Sequence, residues 1–134
     1  ISDSPKKTFW HGHSFTANPL GCAAANASLD LLENDPNKYL SFERKHFFYL
    51  EKIHKLTLVK NIRVTGTIAA FDIEIGNNNS YLNNIGKRIK ALSIEKGLFI
   101  RPLGNVIYLL PPLCITDNQL EESYSIILKI LSDL

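Results

Sequence analysis

With 134 residues, 45% of them hydrophobic and 21% charged, the chain has the size and composition of one soluble globular domain, which excludes the disordered and fibrous classes. Its net charge of +2 comes from basic residues scattered along the sequence, which argues against a nucleic-acid partner. No apolar run approaches the ~18 residues of a membrane span and residues 1–7 hold no signal-peptide core, so neither a membrane nor a secretory route is expected, and the cytoplasm is.

In chain order, residues 1–17 read as irregular and polar. Asn18-Pro19 then opens a helix, with Asn18 as N-cap acceptor and Pro19 at the first helical position. Leu20, Ala24, Ala27 and Leu31 recur on one face of that helix. Cys22 and Cys114 have neither disulfide nor metal-ligand spacing and are expected to be buried reduced thiols. A second helix is predicted over 37–56, with Leu40, Phe47, Leu50 and His54 along one side and Glu43-Arg44-Lys45-His46 as a solvated run.

One strand is expected over 62–75, where Phe71, Ile73 and Ile75 alternate with Asp72 and Glu74, before a turn at Gly76–Asn79. Ser80 is read as the cap of a third helix carrying Leu82, Ile85, Ile89 and Leu92, which Lys96-Gly97 closes. Strands at 98–101 and 106–110 follow, and Thr116-Asp117-Asn118-Gln119 forms a capping box for a last helix that turns Leu120, Tyr124, Ile127 and Leu131 inward. The order α-α-β-α-β-β-α predicts an α+β fold, a small mixed or antiparallel sheet with helices on one face.

Two stretches carry more polarity than core packing requires. The loop Trp10-His11-Gly12-His13-Ser14-Phe15-Thr16-Ala17, just ahead of a helix, offers hydroxyls and backbone N–H groups to an anion such as phosphate, although a simple capped turn has the same composition. His11 and His13 lack the Cys, Asp or Glu partners that a metal site needs, so no metal is expected. In Gly97–Pro112, Arg101 closes an apolar strand, where its charge demands a partner. Its planar guanidinium suits a carboxylate, either an internal Asp or Glu or a ligand. Tyr108 on the next strand is read first as an amphipathic core tyrosine.

Taken together, His11-Gly12, Ser14-Phe15, Asn18-Pro19-Leu20-Gly21, Arg63–Ile68 and the Gly97–Pro112 stretch resemble the class III pyridoxal-phosphate (PLP) aminotransferases, in that family's order. The Ile100-Arg101-Pro102, Ile107-Tyr108 and Pro111-Pro112 pattern is most similar to the branch acting in biotin biosynthesis.

The resemblance implies that residues 1–17 are an active-site loop continuing from a large domain, and that 18–134 are the C-terminal small domain of a fold-type I enzyme. It implies that Ser14 and the adjacent His13 lie at the cofactor phosphate, held mainly by the other subunit of a homodimer, and that Arg101 and Tyr108 line the substrate pocket, with Arg101 on the carboxylate. The substrates it implies are 8-amino-7-oxononanoate and S-adenosylmethionine. Ser14 stands where the wider family more often has Thr, and His13 where Ser or Pro is common. None of the 11 lysines lies in a motif matching the family's Schiff-base lysine, so the chain is expected to carry no catalytic residue and to be inactive alone.

Overall fold

The computed structural model describes residues 4–8, 10–74 and 84–134, which form an α+β fold. A single 3-10 turn, Pro5–Lys7, precedes α1 (Pro19–Glu33), α2 (Lys38–Ile53), β1 (Val59–Thr65), β2 (Ile68–Ile73), α3 (Ile85–Glu95), β3 (Val106–Leu109) and α4 (Asp117–Ser132). The chain divides into two compact units, Ile1–Pro36 and Asn37–Leu134. No helix among the described residues is long and apolar enough to cross a membrane.

In the first unit, α1 starts as its sequence dictates. The Asn18 side chain accepts from the Leu20 N–H at 2.9 Å, and Pro19 fills the position where an N–H would have no partner. Yet α1 buries none of its residues, and Leu20 and Leu31 are 81% and 72% exposed.

The second unit holds the core. Its sheet is antiparallel throughout, in the order β1-β2-β3. The expected single strand over 62–75 is a hairpin instead. Thr65 pairs with Ile68, and Gly66 (φ 55) takes the positive-φ position of the two-residue turn between them. Strand β1 carries one extra residue between Lys60 and Arg63. At this bulge Asn61 adopts φ 49, its amide donates to Asp72, and Arg63 pairs with Asp72 at 2.9 Å.

Ala69, Phe71 and Ile73 of β2, with Ile107 and Leu109 of β3, present one apolar face. Leu50 and Ile53 of α2, Ile85 and Ile89 of α3 and five residues of α4 complete the cluster on it. Burying each such side chain contributes about 1.5–3 kcal/mol relative to leaving it in water. The last helix matches its sequence reading, with both hydrogen bonds of the capping box present and Leu120, Tyr124, Ile127 and Leu131 buried.

Helix α2 is turned differently from expectation. Phe42, His46, Leu50 and Ile53 face inward, while Leu40, Phe47 and His54 are exposed. His46, expected in a solvated run, is fully buried. Its Nε2 lies 3.0 Å from the Thr67 carbonyl oxygen, which can only accept, so Nε2 carries the proton. Nδ1 then accepts from the Tyr124 hydroxyl at 2.6 Å. Burial lowers the His46 pKa more than the Thr67 bond raises it. Burial first, then neighbouring Tyr49, pushes the Tyr124 hydroxyl well above its usual range, so it remains a donor. Glu43 also holds the hairpin turn, accepting from the Gly66 N–H at 2.7 Å.

Two further expectations are corrected. Cys22 and Cys114 are both exposed, because one lies on the uncovered α1 and the other on the loop before α4. Residues 98–101 form no strand. The Leu98 N–H is spent on Ser93 O at 2.8 Å and Gly97 (φ 82) donates to Ile94 O, a helix-closing pair of bonds that leaves the following stretch extended without a ladder partner. The predicted strand end at Ile75, the Gly76–Asn79 turn, the Ser80 cap and Leu82 lie outside the described residues.

Candidate functional site

The second unit builds a site around Arg101. The chain leaves α3 at Gly97, buries Ile100 to 6% exposure, and turns at Pro102–Asn105. That turn is fixed from three directions. Leu103 and Val106 exchange backbone hydrogen bonds, and Ile73 N–H donates to the Asn105 carbonyl at 2.9 Å. On the third side, Gly86 of α3 lies so close that a Cβ there would meet the Gly104 carbonyl oxygen at 2.1 Å. From the turn, β3 pairs with β2, with Tyr108 opposite Ala70.

Arg101 and Tyr108 thereby line one cleft of about 480 Å³. Its other walls are mainly apolar and come from Leu98–Ile100, Leu109–Pro112, Ile115 and Leu120. Tyr108 is half-buried. Arg101 departs from the sequence reading, because it is exposed and its charge is not forced into an apolar setting. Among the described residues it has no ion-pair partner, and its guanidinium carbon lies 5.4 Å from the centre of the Phe99 ring. A cation at the edge of an apolar cleft, with a phenol on the facing strand, is the arrangement that binds a carboxylate carrying an aliphatic chain.

A larger concavity of about 790 Å³ lies between the end of α2 and the start of β1. It contains none of the predicted site residues, and its charged groups are of both signs, Glu51 with Lys55 and Lys60. The Arg101 cleft is the better site on chemistry, because its polar groups converge on one kind of ligand.

The other predicted pair, His13 and Ser14, lies in the first unit. The loop closes on itself: Thr16 Oγ1 accepts from the His13 N–H at 2.8 Å, and the His13 carbonyl accepts from the Thr16 N–H at 2.9 Å. His13 Nδ1 accepts from the Phe15 N–H at 3.1 Å, so the imidazole is part of the loop's own framework. Ala17 (φ 61) then redirects the chain into the Asn18 cap. Ser14 takes no part in these bonds and its side chain is exposed, so its hydroxyl is available to an anion. The structure thus groups the four predicted residues as two pairs, one in each compact unit.

Sequence reasoning missed Phe99. The available signal was its spacing of two from Arg101, which puts both side chains on one side of an extended run.

Residues 2–131 match the aminotransferase class III family. The chain belongs to that family. It is 45% identical over 133 residues to the adenosylmethionine-8-amino-7-oxononanoate aminotransferase of Synechococcus elongatus, covering 99% of this chain and 31% of the relative. The Geobacter sulfurreducens protein of the same name is 40% identical over 125 residues, covering 86% and 27%. The crystal structure of the Methanocaldococcus jannaschii adenosylmethionine-8-amino-7-oxononanoate aminotransferase superposes with a TM-score of 0.77 at 27% identity, over 94% of this chain and 30% of that one. Acetylornithine aminotransferase from Elizabethkingia anophelis superposes with a TM-score of 0.74 at 32% identity, over 96% and 32%. The chain therefore spans about a third of the length of these relatives. Class III aminotransferases depend on PLP. The free Ser14 hydroxyl and the loop that carries it are of the donor type that suits the phosphate of that cofactor.

Proposed function

We propose that this chain is the C-terminal part of a transaminase of biotin biosynthesis, which converts 8-amino-7-oxononanoate to 7,8-diaminononanoate with S-adenosylmethionine as amino donor. The amino group leaves the donor as its carbon becomes a ketone, and replaces the ketone oxygen of the acceptor. The observation that carries this reading is the Arg101–Tyr108 cleft, where a guanidinium and a phenol border an otherwise apolar wall. 8-Amino-7-oxononanoate has the matching form, a carboxylate at the end of a run of methylenes. Similarity to relatives of that name over nearly the whole chain supports the same assignment.

In this reading Arg101 binds the carboxylate, Tyr108 lines the pocket beside it, and the apolar wall excludes water from the aliphatic segment. Ser14 holds the cofactor phosphate through its hydroxyl, with His13 shaping the loop beside it. Bound PLP supplies the electron sink for the reaction. Residues 1–17 act as a loop continuing from a large domain and 18–134 as the small domain. The cofactor-linking lysine comes from outside this chain, which is inactive by itself. The working enzyme is a cytoplasmic homodimer in which the loop serves the partner subunit's cofactor.

Replacing Arg101 by Ala in the full-length enzyme tests the reading. The KM for 8-amino-7-oxononanoate is expected to rise about 10- to 100-fold, the scale of a lost charge-assisted hydrogen-bond pair, while the KM for its methyl ester stays nearly constant. An unchanged KM for the acid would sink the reading. It would favour a class III aminotransferase acting on another amine, which the superposition on acetylornithine aminotransferase supports as the second reading.

A further inference from the structure

Phe99 is 62% exposed between two better-covered neighbours, half-buried Leu98 and buried Ile100. Burial in the core therefore does not account for an aromatic side chain here. Its ring instead receives two cations. The Arg101 guanidinium carbon lies 5.4 Å from the ring centre, and the Lys90 ammonium of α3 lies 5.5 Å from it. Both distances fall within cation–π range. Lys90 follows fully buried Ile89, so the ring is met from a helix already anchored in the core.

We propose that Phe99 is a positioning residue for Arg101. Its ring holds the guanidinium at the mouth of the cleft and orders it before substrate arrives. The inference rests on Arg101 being the carboxylate-binding residue.

An exposed arginine without an ion pair among the described residues samples many rotamers, and fixing one of them on binding costs affinity. Contact with the ring removes part of that cost, and it does so without supplying a carboxylate that would compete with the ligand. The backbone on either side is already fixed, by Ile100 in the core and by the turn against Gly86. The remaining freedom of Arg101 is in its side chain, which is where Phe99 acts. Lys90 adds a second positive charge beside the same ring, which strengthens the field that an incoming anion meets.

The test uses the full-length enzyme with Phe99→Leu, which keeps apolar bulk but removes the ring, and Phe99→Tyr, which keeps the ring. F99L is expected to raise the KM for 8-amino-7-oxononanoate about two- to five-fold, the scale of one exposed cation–π contact, and clearly more than it raises the KM for the methyl ester, which meets Phe99 only as part of the wall. F99Y is expected to stay near the parent value. The ring current should displace the Arg101 Nε–H resonance in the parent enzyme and in F99Y, and the resonance should move toward its random-coil position in F99L.

A rise in Arg101→Ala with no rise in F99L would overturn the positioning role while leaving the carboxylate role of Arg101 intact. An equal rise for acid and ester in F99L would also overturn it, since Phe99 would then act only through the apolar wall that it also lines. No rise in Arg101→Ala would remove the carboxylate role, and this inference with it. Phe99→Met, a second ring-free side chain, repeats the comparison if F99L does not accumulate as folded enzyme.

Discussion

Helices α1 and α4 begin equally well and end up in opposite environments. Asn18 caps α1 and the Thr116–Gln119 box caps α4, each with the hydrogen bonds its sequence predicts. Yet α4 buries Leu120, Tyr124, Ile127, Ile130 and Leu131, whereas α1 buries nothing and leaves Leu20, Leu29 and Leu31 in solvent. Caps are local and depend on three or four residues. Burial depends on a second surface, and no stretch of sequence carries both sides of a contact. An apolar stripe therefore states what a helix can cover.

The largest effect that could break this contrast is in α4. Ile127→Ala should cost about 2–5 kcal/mol in urea unfolding, because Ile127 is fully buried and its removal leaves a cavity. A loss near zero would mean that α4 is no better packed than α1. The next largest effect concerns the polar contact that α4 makes through Tyr124. Tyr124→Phe leaves His46 Nδ1 without its donor and should cost about 1–3 kcal/mol. The same pair sets a pH dependence. Since the folded pKa of His46 lies below 6.5, the unfolded chain takes up the proton first as pH falls. The stability from neutral His46 is thus present above pH 6.5 and lost progressively below it, and His46→Phe should flatten that slope in a urea series. The smallest effect is in α1, where Leu31→Ala should shift the stability of this 134-residue chain by less than about 0.5 kcal/mol. A loss comparable to that of Ile127→Ala would show that α1 is covered after all.

Features set by neighbours in sequence were legible. The Asn18 and Thr116 caps are side chains that meet their own backbone, and the Gly97 closure of α3 is a local backbone turn at positive φ. The α+β class followed from the order of these elements. The hairpin was missed because Ile62–Ile75 reads as one β-rich run, although 14 residues is far longer than a common strand of about five or six. Gly66 is the break, and its role shows only when Thr65 is seen to pair with Ile68.

Helix α2 was read out of phase because Phe47, Phe48 and Tyr49 supply apolar side chains in several directions. The decisive residue, His46, is buried by partners 21 and 78 positions away, Thr67 and Tyr124. At the candidate site the guanidinium of Arg101 was legible as a group that suits a carboxylate, whereas Tyr108 read first as a core tyrosine and was tied to the pocket only by the family resemblance. The expected cost of the Arg101 charge was not, because exposure is a property of the folded surface.

The contact at Gly86 turns one missing methyl group into a constraint on the turn that follows Arg101. The Gly104 carbonyl occupies the space where any other residue would put its first side-chain atom. A shift of the turn toward α3 therefore collides, and a shift away opens a gap beneath Pro102. Arg101 immediately precedes Pro102 of that turn, so the same contact limits where its backbone can sit. Changes to the cleft are therefore better made at the Tyr108 side chain, which can be exchanged with its strand left in place, than at the turn.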